Sequence, residues 1–95
     1  MSDYYSPDGE PITFDEYLRV ATAENEIVGR DEIGDILVST IWLGMNHQWG
    51  AGPPLIFETM IFGGEHDQWQ ERYSTRAEAE AGHAAALALV TGEPT

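Results

Sequence analysis

Residues 36–57, ILVSTIWLGMNHQWGAGPPLIF, contain neither an acid nor a base, although the chain has a formal net charge of -13. Two runs of β-branched and large apolar residues, 36–43 and 55–62, flank a segment rich in glycine and proline. Such apolar runs favour strands, whereas paired prolines exclude both a helix and a continuous ladder. The stretch therefore predicts two neighbouring antiparallel strands at the centre of one sheet, joined by a loop over 44–54.

The length of the chain limits what this sheet can belong to. Because 95 residues supply one hydrophobic core, we expect a single α+β domain over 1–95, with 1–10 and 92–95 loose. A polar Asn-His-Gln triplet interrupts the uncharged stretch, which argues against a membrane helix. The acidic N-terminus lacks the bases of an export signal and cysteine is absent, so we expect a cytoplasmic location.

Two capping boxes of the form T-x-x-E predict where helices begin. The box at Thr13–Glu16 opens a helix expected over about 14–22, with an inward face of Phe14, Tyr17, Leu18 and Ala21. The box at Thr75–Glu78 opens an alanine-rich helix expected over about 76–91. Its inward face follows helical spacing and consists of Ala79, Gly82, His83, Ala86, Leu87 and Val90.

The remaining segments predict shorter elements. Ile27 and Val28 indicate a short strand, and residues 29–32 indicate a turn. Residues 69–73 predict an edge strand that points Gln70 and Arg72 to solvent. The fold class is therefore α+β: a small antiparallel sheet of three to four strands, with an N-terminal and a C-terminal helix packed on one face.

The charge balance restricts the partners of the protein. Seventeen acids face four arginines, and the chain has no lysine. This density of negative charge repels phosphate backbones and anionic lipids, so we expect no direct binding to nucleic acid or to a membrane. It favours a partner with a basic surface. A role in solubility or in adaptation to high salt explains the same acids.

The sequence offers no pattern typical of catalysis or of metal binding. Ser39 and Thr40 lie within a predicted strand without a nucleophile elbow, and GGEHDQ lacks the lysine of a phosphate loop. The three histidines do not have metal-ligand spacing, and His83 lies on an inward helix face, where a buried, hydrogen-bonded histidine is expected. We therefore predict no catalytic residue, no metal site and no cofactor.

Two groups of residues remain as candidates for binding a partner. His47 and Trp49 lie on the glycine-rich loop, and loops with exposed aromatics are common binding surfaces. The alternative is that Trp49 folds over the sheet as a lid. The second group consists of acids near the predicted turns: Asp31, Glu32, Asp35, Glu65 and Asp67.

The segments STIWLGMNHQWGAGPPLIFETMIFGG and RYSTRAEAEAGH carry a resemblance to known sequences. They resemble a family of small uncharacterised acidic proteins encoded by bacteriophages and by actinobacterial genomes that carry prophages. The resemblance covers about residues 27–90. It implies a phage accessory protein in the cytoplasm of a host cell, and it transfers no catalytic residue.

Acidity and resemblance together give a first functional hypothesis. We expect a non-enzymatic accessory protein that binds a host protein, as an inhibitor or a nucleic-acid mimic. One alternative is a domain that binds a nucleotide-like small molecule through the 44–54 loop. Another is a structural component that forms a homodimer through the uncovered face of its sheet.

Overall fold

A computed structural model describes residues 3–48 and 52–92. Along the chain, the helices and strands are β1 (Tyr4–Tyr5), β2 (Pro11–Ile12), α1 (Phe14–Val20), α2 (Ala23–Glu26), β3 (Ile27–Ile33), β4 (Ile36–Trp42), β5 (Phe57–Phe62), β6 (Gln70–Tyr73) and α3 (Arg76–Thr91). The last four strands form an antiparallel sheet in the order β3-β4-β5-β6, and β1 pairs with β2 in a separate ribbon. The α+β class and the antiparallel sheet are confirmed.

The two charge-free runs form the central strands, as predicted. β4 and β5 pair with each other from Leu37 opposite Phe62 to Trp42 opposite Phe57, and the edge strands β3 and β6 flank them. Their buried side chains alternate with half-buried ones, which gives the sheet two distinct faces. The buried set lies directly opposite in three cross-strand pairs: Val38 with Ile61, Thr40 with Thr59, and Trp42 with Phe57.

Helix α3 covers this buried side of the sheet, which we call the helix face. Ala79, His83 and Ala86 are the buried residues of α3, and they pack against the central strands in two apolar clusters or bond to them. The Thr75–Glu78 capping box is present, and the helix ends at Gly92, which adopts a left-handed φ of 74°. The predicted bounds and inward face of this helix are confirmed.

Helix α1 differs from its prediction. Its capping box forms and hydrogen bonds from Thr13 lower the pKa of Glu16, but the helix ends at Val20. Phe14 and Leu18 are 52% and 57% exposed, so placing them inward was wrong. The core instead receives the stripe Tyr17, Val20 and Ala21, whose spacing also fits one face of a helix. This short helix contacts β1 and the Trp42 end of the sheet, so packing of both helices on the helix face is not clearly confirmed.

The turn predicted at 29–32 is also wrong, because these residues continue β3. Gly29 pairs with Thr40 after a bulge, and the chain reverses only at Gly34, where φ is 60°. An edge strand tolerates charged residues because half of them reach solvent, so polarity alone does not mark a turn. The polar link before β3 forms the one-turn helix α2, capped by Thr22.

The opposite side of the sheet, which we call the open face, faces away from α3. Its apolar residues are Ile27, Leu37, Ile41, Met60 and Phe62. Its charged residues are Arg30, Glu32, Glu58 and Arg72. Arg72 Nε donates to Glu58 Oε2 at 3.0 Å and its side chain is 35% exposed, so the predicted edge strand is present but Arg72 is only partly free to solvent.

Gly82 allows α3 to lie close to β6. A Cβ atom at this position would overlap the ring and hydroxyl of Tyr73. In an exposed helix, Gly→Ala stabilises by about 1 kcal/mol, whereas forcing an extra methyl into packed surroundings costs about 1–3 kcal/mol.

We therefore expect Gly82→Ala to lower the free energy of unfolding, measured by urea denaturation, against the helix-propensity trend. Ala84→Gly, at an exposed position of the same helix, controls for propensity and should cost about 1 kcal/mol. A Gly82→Ala variant more stable than the parent would contradict the close packing.

Candidate functional site

The structure brings four of the predicted partner-binding residues to one end of the sheet. Asp35 lies in the β3–β4 turn, whereas Glu65 and Asp67 lie in the β5–β6 turn. The two turns touch, because a Cβ at Gly63 would meet the carbonyl oxygen of Asp35 at 2.8 Å. Glu32 is close by on β3. We call these four exposed acids, Glu32, Asp35, Glu65 and Asp67, the acidic end.

One of the four acids also holds its own turn in shape. Gly63 N–H donates to Asp67 Oδ1 at 2.6 Å, and the Asp67 N–H donates to the carbonyl of Gly64. Gly63 and Gly64 both have positive φ, 91° and 71°, which glycine adopts without strain. In the described structure, the carboxylates of Asp35 and Glu65 accept no comparable hydrogen bond from their turns.

The electrostatic field at the acidic end is negative. No arginine lies in either turn of the described chain. Arg30 approaches Glu32 at 3.9 Å, but the two side chains are 56% and 73% exposed, and such a pair contributes little. Helix α3 ends here as well, since Thr91 and Gly92 line a cleft of about 280 Å³ together with Glu65 and His66. The negative end of the helix dipole adds to the field.

Asp31 is not part of the acidic end, because its side chain reaches the helix face. Its Oδ2 atom is 2.7 Å from His83 Nε2, and the other ring nitrogen of His83 is 2.6 Å from Thr40 Oγ1. Thr40 in turn bonds to Thr59 at 2.5 Å. Gly29 leaves room for the imidazole, because a Cβ there would lie 2.9 Å from His83 Nε2.

When the imidazole is neutral, each hydrogen bond that links Thr59, Thr40, His83 and Asp31 is donated toward Asp31. A carboxylate only accepts, so His83 Nε2–H donates to Asp31 and Nδ1 accepts from the Thr40 hydroxyl. Thr59 then donates to the Thr40 oxygen. The predicted buried, hydrogen-bonded His83 is confirmed, and its partners are Asp31 and Thr40.

An Asp-His-hydroxyl arrangement also occurs in hydrolytic triads, so exposure of the hydroxyl decides what it can do. Thr40 and Thr59 have no exposed surface, and His83 is 8% exposed. Neither cleft described for this structure is lined by any of the three. In this arrangement Thr40 Oγ1 is enclosed by its neighbours and offers no surface to a substrate.

The phenol of Tyr73 lies beside these hydrogen-bonded side chains, next to Thr59. Its hydroxyl is buried without a partner in standard hydrogen-bond geometry, although it is near Thr59. Burial raises the pKa of Tyr73, the neighbouring Thr59 side chain opposes that rise, and the Glu71 carboxylate adds to it.

His47 lies at the opposite end of the sheet from the acidic end. The backbone N–H of His47 donates to the carbonyl of Leu55, while Asn46 Oδ1 accepts from the backbone N–H groups of Gln48 and Leu55. His47 and Arg72 help to line an open cleft of about 410 Å³. Trp49 lies outside the described residues, so the alternative of a tryptophan lid stays a prediction.

The sequence missed the two threonines as members of a network. Thr40 lies between the buried residues Val38 and Trp42 on β4, and Thr59 lies between the buried residues Phe57 and Ile61 on β5. A polar residue at a buried position of a strand needs a hydrogen-bonding partner, and the inward-facing His83 of α3 can supply one. That combination was the signal that pointed to this network.

Comparisons with known proteins leave the chain without an assigned family. No family model, curated protein or solved structure matches it. The resemblance to the phage-encoded proteins therefore stays a prediction. Within the described residues, no helix is long and apolar enough to span a bilayer, and no three potential ligands of the His, Cys, Asp or Glu type are grouped to hold a metal ion.

We expect Thr40→Val to destabilise the fold by about 1–3 kcal/mol, because it leaves His83 Nδ1 buried without a partner and removes the hydrogen bond between Thr40 and Thr59. For a chain of this size, that corresponds to a loss of about 5–20 °C in the melting temperature. In a double-mutant cycle, Thr40→Val/Thr59→Val should cost less than the sum of the two single variants. Ser39→Ala, one residue away on the open face, is the control; equal losses for Ser39→Ala and Thr40→Val would contradict the network.

The raised pKa of Tyr73 predicts an alkaline loss of stability. The protonated phenol is favoured by the fold, so its contribution is complete below pH 10 and is lost as the pH rises through the folded-state pKa. The chain has no lysine or cysteine, whose side chains would otherwise titrate in this range. Urea unfolding between pH 8 and about pH 11 should show a fall in the free energy of unfolding that Tyr73→Phe reduces.

Proposed function

We propose that this protein is a non-enzymatic accessory protein of the phage-encoded kind, which binds a host protein through the acidic end. The observation that carries the proposal is the convergence of Glu32, Asp35, Glu65 and Asp67 from two touching turns and the adjoining strand. These acids were selected from the sequence as scattered candidates, and the fold gathers them. The phage assignment is supported by the sequence resemblance alone.

The partner that fits this end has a basic surface. Four exposed carboxylates and a helix C-terminus form a field that attracts cationic side chains and speeds their approach. A basic groove that holds a phosphate backbone presents the same side chains, so occupying such a groove would inhibit nucleic-acid binding by the host protein. The net charge of -13 disfavours direct nucleic-acid or membrane-surface contact.

The enclosed threonines support the non-enzymatic part of the proposal. A hydroxyl acts as a nucleophile only where a substrate can reach it, and Thr40 has no exposed surface. The hydrogen bonds that link Asp31, His83, Thr40 and Thr59 instead join β3, β4, β5 and α3, which is a structural role.

A second candidate function uses the cleft beside His47 and Arg72. Its volume of about 410 Å³ lies within the range of small-molecule sites, which supports the nucleotide-like alternative. The cleft is distant from Asp35 and Glu65 along the sheet. Variants of those two acids therefore separate the two functions, because ligand binding beside His47 should not respond to them.

We expect Asp35→Asn/Glu65→Gln to weaken capture of a basic protein from bacterial lysate by about fivefold or more at 0.1 M salt, because two of the four attracting charges are removed. The matched control, Glu10→Gln/Glu80→Gln, removes the same number of exposed acids elsewhere. Captured proteins are quantified by mass spectrometry on immobilised protein, and salt should release them.

The result has a clear negative form. Capture that is insensitive to salt, that falls equally with both pairs of substitutions, or that yields no protein with a basic sequence would contradict binding through the acidic end.

A further inference from the structure

The open face exposes apolar surface on the side of the sheet that faces away from α3. Phe62 and Ile27 are 39% and 48% exposed, and Leu37, Ile41 and Met60 are half-buried beside them. These residues are next to each other in the ladder, since Leu37 is opposite Phe62 and Ile27 is opposite Ile41. The patch is therefore continuous and not a scatter of single exposed side chains.

The charges on the open face cancel. It carries two arginines, Arg30 and Arg72, and two glutamates, Glu32 and Glu58. Half of the four arginines in the chain lie here, so the net charge of -13 belongs to the rest of the molecule. A neutral, apolar surface on an acidic protein is poorly matched to a strongly basic partner. It is well matched to another surface of the same composition.

We infer that the open face binds a second copy of this chain in a twofold-symmetric dimer. The twofold axis is perpendicular to the strands and lies between two rows of cross-strand neighbours. One row contains Arg30 and Met60, and the next row contains Glu32 and Phe62. Strand direction is then reversed, so Arg30 lies opposite Glu32 of the second copy, and the reciprocal pair forms by symmetry. Phe62 packs over Met60 of the second copy, a favourable contact between sulfur and an aromatic ring.

This arrangement also places the two acidic ends on opposite sides of the axis. An axis parallel to the strands would bring both acidic ends together, and the repulsion of eight exposed carboxylates would oppose it. With the strands reversed, each acidic end approaches the Arg72 side of the other copy. Charge complementarity therefore selects one of the two simple twofold arrangements.

The area of the face sets the strength of the dimer. Four strands spaced by about 4.8 Å, each contributing about six residues at 3.4 Å, give a projected area of about 400 Å² per copy. The two copies would therefore bury about 800 Å² in total, which is below the roughly 1,200–2,000 Å² of stable complexes and within the range of weak, transient ones. We therefore expect a weak dimer, with a dissociation constant of about 10–100 μM.

Salt distinguishes this dimer from the proposed function, on which it does not depend. Two chains of charge -13 repel each other at long range, and salt screens that repulsion, so dimerisation should become stronger as salt is added. Binding of a basic partner at the acidic end should become weaker. Failure of one proposal therefore leaves the other standing.

Sedimentation equilibrium of the full chain from about 5 μM to 1 mM, a range that spans the expected dissociation constant, tests the inference. The mean mass should rise from 10.5 kDa toward twice that value, with a dissociation constant about tenfold lower at 0.5 M than at 0.05 M sodium chloride. Met60→Glu should keep the protein monomeric, whereas Leu18→Glu, on the exposed side of α1, should leave the dimer unchanged.

A charge swap tests the arrangement without touching apolar packing. Arg30→Glu should weaken the dimer by about fivefold or more, and Arg30→Glu/Glu32→Arg should restore it to within about twofold, because each exchanged pair still meets its opposite charge. Both side chains are more than half exposed, so folding should be preserved and is verified by circular dichroism.

Three results would overturn the inference. A wild-type chain that is monomeric at every concentration and salt would leave the open face to a different partner. A dimer equally weakened by Leu18→Glu and Met60→Glu would lie elsewhere, and a charge swap that fails to restore association would exclude the reversed-strand twofold.

Discussion

The hydrogen-bonded chain from Asp31 through His83 and Thr40 to Thr59 is the interaction on which the rest of the structure depends. It joins an edge strand, both central strands and the helix that covers them. The apolar clusters at the two ends of the helix face, around Trp42 and around Val38, hold the layers together without fixing their register. The buried polar groups do fix it, because a shift would leave each of them unpaired.

The structure separates its charges by region. Acids are gathered in two touching turns, whereas the open face keeps arginines and glutamates in equal number. One molecule thus has a strongly negative end and a neutral apolar side, and the two surfaces suit different partners. The proposed host-protein binding and the inferred dimer therefore use different surfaces that overlap at Glu32, which belongs both to the acidic end and to the open face.

Much of the fold could be predicted from local patterns. The capping box at Thr75–Glu78 and the terminal Gly92 mark the limits of α3, and the apolar runs mark β4 and β5, because these signals are short-range. The edge strand β3 and the orientation of α1 could not be predicted, because both depend on what the segment packs against. Asp31 shows the same limit at the site: as a charged residue it indicated the surface, and only the position of His83 above Gly29 shows why it turns toward the helix face.

The edge strand β3 has a consequence for growth of the sheet. It is a long outer strand, but it contains a bulge between Ile27 and Gly29 and the consecutive charged residues 30–32. Bulges and charges on an outer strand discourage the addition of further strands from other molecules, which is how natural sheets resist fibril formation. The edge strand thus opposes open-ended stacking, which is compatible with the closed pair that we infer.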